Sequence, residues 1–68
     1  MNEKIKKAVE VVGSQKKLAM LIGCGQTFVS QMLSGDRPVP PGKAIPIEHA
    51  TNGKVSRHEL RPDIYPSA

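Results

Sequence analysis

Apolar residues along this chain recur every three or four positions and are parted by short runs of glycine, proline and polar residues, the pattern of short amphipathic helices laid end to end. Ile5, Ala8, Val9 and Val12 form the first stripe and predict a helix over residues 3–12 with lysines on its outer side. Gly13 stands where a helix commonly stops. Ser14 is suited to begin the next, because its hydroxyl can accept from a first-turn backbone N–H that has no partner within the helix. Leu18, Ala19 and Ile22 mark a second helix from Gln15 to Ile22, and Val29, Met32 and Leu33 a third from about Gln26 to Ser34. Only Gly23, Cys24 and Gly25 separate the two.

After the third helix, SGDRPVPPG (residues 34–42) is dense in turn formers and predicts a loop. Residues 43–51 carry Ala44, Ile47 and Thr51 on one stripe and predict a fourth helix, with Gly53 as its stop. Pro46 conflicts with that helix, since an interior proline removes a backbone bond and clashes with the preceding turn. Regular helix is therefore expected to begin late, or to kink there. Ser56 and Glu59 stand in the spacing of a capping box, with Leu60 and then Arg61-Pro62 behind them, which predicts one short helical turn and a tail over residues 61–68. No period-two alternation follows Gly53, so a C-terminal hairpin is not expected. The reading is all-α: a single domain, residues 1–68, of about five short helices.

Two short helices joined by three residues must cross steeply, with their backbones close at the corner. Gly23 can take the positive φ that such a reversal needs. Ala19 is small where the second helix must come near its neighbours, and Cys24 is a small apolar plug in the turn. Gln26, Thr27, Ser30 and Gln31 are left on the outer face of the later helix.

Charge sharpens the picture. The chain has 68 residues and a formal charge of +4. The first 17 residues hold five lysines and two glutamates, a balance of +3, and a basic end of this kind suits either a polyanion such as nucleic acid or a merely solvated face. One cysteine excludes an internal disulfide and points to a reducing compartment. No apolar run has the length of a secretory signal or a membrane span, so a cytoplasmic, membrane-free protein is expected. Catalysis finds no support: Cys24 has no histidine or acid near it in sequence, and His49 and His58 lack a metal-ligand spacing with it. There is no phosphate-binding glycine loop, and Phe28 and Tyr65 are too few aromatics for a single-strand stacking platform. No metal and no cofactor are expected.

The stretch QKKLAMLIGCGQTFVSQML, Gln15 to Leu33, resembles the helix-turn-helix of phage Cro-type and YdaS-type bacterial regulators, with the alanine, the turn glycine and the later valine at matching offsets. The segment that follows is similar to that of YdaS-like Cro repressors, and the closing LRPDIYP is the more specific marker. Together these cover about residues 3–66. Gly25 departs from the pattern, which more often has a serine-like cap there, and so does Pro46, where a good helix former is usual. The resemblance implies a lambda-repressor-like helix-turn-helix over about residues 15–34, whose recognition helix enters the major groove of double-stranded DNA while the helix before it crosses the backbone. Gln26, Thr27, Ser30 and Gln31 would read bases. Gln15, Lys16 and Lys17, with Arg37 and Lys43 from the loop that follows, would touch phosphates. It further implies a Cro-like repressor acting as a homodimer on a DNA operator, in the nucleoid of a bacterial or prophage-bearing cell. The alternative is an antitoxin or interaction module that engages a toxin protein and binds DNA only for autoregulation.

Overall fold

The computed structural model describes residues 1–66, and every regular element in them is helical. The order is α1 (Glu3–Val12), α2 (Gln15–Ile22), α3 (Gln26–Ser34), α4 (Pro41–Ala50) and α5 (Arg57–Leu60). The last two residues of the expected tail, 67 and 68, lie outside the described residues.

Local chemistry sets most boundaries. Asn2 caps α1, its side-chain oxygen accepting from the N–H groups of Lys4 at 3.0 Å and Ile5 at 3.1 Å. Ser14 caps α2 by accepting from Lys17 N–H at 3.0 Å. Gly13 (φ 113°) and Gly23 (φ 76°) end α1 and α2 in the left-handed region, which costs an L side chain energy and glycine almost none.

One apolar cluster joins all five helices, with Ile5, Leu18, Val29, Met32, Ile47 and Val55 fully buried in it. The backbone closes on itself around this core, because Asn2 N–H donates to Leu33 O at 2.8 Å, tying the start of α1 to the end of α3. In the C-terminal part, Thr51 is fully buried and accepts from Val55 N–H at 3.1 Å. Its hydroxyl hydrogen lies within reach of Ile47 O (3.0 Å), Glu48 O (3.2 Å) and Val55 O (3.4 Å). The expected capping box is present at α5, with Glu59 N–H donating to Ser56 Oγ at 3.1 Å and Ser56 N–H to Glu59 Oε2 at 2.9 Å.

The fourth helix corrects the sequence reading. It begins at Pro41, two residues earlier than expected, and runs through Pro46 to Ala50. The reason lies at its start: Pro41 occupies the first helical position, where a missing N–H loses nothing and a φ near −65° already suits a helix. Thr51, read as part of the helical stripe, is the residue that ends it.

Candidate nucleic-acid interface

The turn between α2 and α3 is built as its sequence suggests. Cys24 N–H donates to Ala19 O at 3.0 Å, and Gly25 enters α3 in extended backbone without a side-chain cap. Leu18, Ala19, Ile22, Val29 and Met32 are buried at this corner, which orients α3 through one face and leaves its other face outward. Gln26, Thr27 and Ser30 are exposed on that outer face, and Gln31 is half-buried beside them. Among the described residues, Gln26, Thr27 and Ser30 make no side-chain hydrogen bond.

Lys16 and Lys17 are exposed in the first turn of α2, with Gln15 half-buried at its first position. That turn contains no acidic residue. Two ammonium groups at the positive end of a helix dipole oppose the helix itself, and an external anion would relieve them. The first turn of α3 likewise holds no acid. By contrast, α1 follows the usual rule, with Glu3 in its first turn.

Arg37 and Lys43 sit differently from what their places in the sequence suggest. Arg37 does not pair with neighbouring Asp36; its Nε donates to Gln31 Oε1 at 3.0 Å and its guanidinium lies over the Phe28 ring, 5.2 Å from the centre. Lys43 is half-buried and turns toward α2, where Nζ donates to Ile22 O at 3.0 Å and Gly23 O at 3.5 Å. It thus caps the C-terminal end of α2, where a cation complements the dipole. Neither arrangement could be read from spacing, because each joins residues on different elements.

The family model described as "Bacterial toxin YdaS" matches residues 5–68. The chain belongs to the YdaS family. A curated YdaS protein of Escherichia coli (strain K12), named for transcriptional regulation, is 43% identical over 63 residues, which are 93% of this chain. The chain spans 64% of that relative's length. Among solved structures, the Cro protein from the prophage element Xfaso 1 of Xylella fastidiosa strain Ann-1 matches with a TM-score of 0.87 at 37% identity, over 98% of this chain and 100% of that one. The all-helical architecture expected from the sequence is the one observed, and it is shared with that Cro protein.

In the C-terminal part of this YdaS-family chain, most polar groups serve the fold. Arg57 meets Glu48 through two side-chain contacts, Nε to Oε1 at 3.1 Å and Nη2 to Oε2 at 3.2 Å, and stacks 5.7 Å from the centre of the Tyr65 ring. The Arg57 side-chain bond, aided by its backbone N–H, holds the Glu48 carboxyl below the usual carboxylate range. Backbone bonding at Ser56, with Lys4 second, does the same for Glu59. Arg61 grips Asp63 and donates through Nη1 to Val39 O at 2.7 Å, fastening the tail to the loop before α4. A shallow apolar groove between α2 and α4 is lined by Leu21, Ile45, Pro46, His49 and Ala50, with His49 its one titratable group. No helix among the described residues is long and apolar enough to cross a membrane.

Proposed function

We propose that this chain is a sequence-specific double-stranded DNA-binding repressor of the Cro kind, which places α3 in the major groove and acts as a homodimer by occupying promoter DNA in the bacterial cytoplasm. One observation carries the reading: the outer face of α3 and the first turn of α2 present exposed polar and basic groups that have no work inside the chain. The names of the E. coli relative, a transcriptional regulator, and of the Xylella relative, a Cro protein, support it. Gln26, Thr27, Ser30 and Gln31 are assigned to base edges. Gln15, Lys16 and Lys17 are assigned to phosphates, which fix register without reading sequence. Lys43 already serves as a cap and has one ammonium hydrogen left for the backbone. Catalysis, metals and cofactors have no part in this mechanism.

A second reading is an antitoxin or interaction module that engages a protein partner and uses DNA only for autoregulation; the family's description as a bacterial toxin favours a place in a toxin–antitoxin pair. The neighbouring genes separate the two, a divergently transcribed repressor gene favouring the first and an adjacent toxin gene the second, and footprinting on the gene's own upstream region tests the DNA site itself. The repressor reading expects a near-palindromic site with half-site centres roughly 34 Å apart, one helical turn. In the same assay Lys17→Ala should weaken operator and random duplex by similar factors and make the salt slope shallower by about one unit per subunit. Gln26→Ala should weaken the operator alone. Absence of any protected site, or equal losses on both DNAs for Gln26→Ala, would remove the base-reading role of α3.

A further inference from the structure

Gln31 and Arg37 were assigned from sequence to different tasks, one to bases and one to phosphates. The structure joins them. Besides the bond from Arg37 Nε to Gln31 Oε1, Arg37 N–H donates to Gln31 O at 3.2 Å, so side chain and backbone of the two residues are linked in parallel. Ser34 Oγ donates to the same Gln31 carbonyl at 3.1 Å and accepts from Asp36 N–H at 3.4 Å, which hooks the turn after α3 back onto the helix. Phe28, packed against the core, lies beneath the guanidinium. Arg37 remains exposed, yet three contacts hold it in place before any ligand arrives.

The chemistry of the pair follows from its hydrogen-bond inventory. Guanidinium nitrogen can only donate, so the Gln31 amide must turn its oxygen toward Arg37 and its NH2 group away. What the pair can still offer outward is the two hydrogens of that NH2 and those on Nη1 and Nη2 of Arg37, which make no other bond among the described residues. This is a surface of donors. In the major groove guanine presents two acceptors, N7 and O6, whereas adenine presents an acceptor beside a donor and cytosine presents a donor. A paired contact of Gln31 to adenine would need Oε1, already held by Arg37, to accept from the adenine amino group through its one remaining lone pair, whereas guanine asks only for donors.

Building on the DNA-binding reading above, we propose that Gln31 and Arg37 act as one unit that reads guanine, with Phe28 supporting the arginine from behind. Arg37 is then a specificity determinant rather than a phosphate contact, and the base that Gln31 helps to select is guanine rather than adenine.

The test begins with selection of binding sites from a randomised duplex library by the wild-type protein, followed by titration of the selected duplex and of copies in which single guanines are replaced by 7-deazaguanine, which lacks the N7 acceptor. One guanine per half-site should respond to replacement with a loss toward the lower end of the roughly 5- to 150-fold range of one base contact. Arg37→Lys, which keeps the charge and is checked for fold by circular dichroism, should bind random duplex as the wild type does, lose preference for that guanine, and show no further loss on 7-deazaguanine. Equal losses by Arg37→Ala on selected and random duplex, a selected site without guanine in the half-site, or indifference of the wild type to every 7-deazaguanine would each overturn the proposal while leaving DNA binding standing. If the wild type selects no duplex at all, the DNA-binding reading falls and this one with it.

Discussion

In α1 to α3 the contacts that hold the chain together are mainly apolar, and the polar side chains of α2 and of the first half of α3 are largely idle; from α4 onward polar side chains join the apolar core in holding the fold. Leu18, Ala19, Ile22, Val29 and Met32 lock the helix-turn-helix, while Lys16, Lys17, Gln26, Thr27 and Ser30 stay exposed. In the C-terminal part Glu48, Thr51, Ser56, Arg57, His58, Glu59, Arg61 and Asp63 all find partners within the chain. Tyr65 belongs to that half: it packs against the core and its carbonyl lies 3.0 Å from His58 Nδ1. The difference teaches where a ligand is expected. A polar group already satisfied by the fold must break a bond to reach an outside molecule, and one left unsatisfied need not.

The largest effect should come from the apolar side. Leu18→Ala removes a fully buried side chain from α2 and should cost about 2 to 5 kcal/mol, enough to unfold much of a chain this small at room temperature. Urea titration followed by circular dichroism measures it, and a loss below 1 kcal/mol would mean the corner is not held by packing. Thr51→Val tests the polar side. It keeps the volume but leaves Val55 N–H buried without an acceptor, so a loss of about 1 to 3 kcal/mol is expected. No loss would place the C-terminal half under apolar control as well.

The smallest effect has the opposite sign and bears on the idle groups. Lys16→Glu puts a carboxylate at the positive end of α2 and should stabilise the unliganded protein by about 0.3 to 1 kcal/mol at low salt while weakening DNA binding. Such a trade would show that the lysines serve a ligand against the interest of the helix. A loss of stability would instead give Lys16 a structural role and undo the contrast.

How much could be read from the sequence depended on how local each cause was. The bounds of α1 and α2 are set by Asn2, Gly13, Ser14 and Gly23, which act on neighbours a few residues away, and the α5 turn by a capping box four residues long. The start of α4 was missed because its prolines read as loop formers, although one of them opens the helix. At the candidate interface, the exposure of Gln26, Thr27 and Ser30 follows from helical periodicity alone. The partners of Arg37 and Lys43 do not, since they depend on how the loop after α3 folds back over the helix-turn-helix. Charge pattern gives such residues a sign but no direction.

The bond from Asn2 to Leu33 makes the unit of α1, α2 and α3 a closed circuit, in which the chain leaves the end of α3 beside the point where α1 began. Most of the unit's helix contacts are between neighbours along the chain, so little entropy of loop closure stands in the way of assembling it. It follows that hydrogen exchange should find the amide of Asn2, which precedes the first turn of α1, protected together with the core of α3.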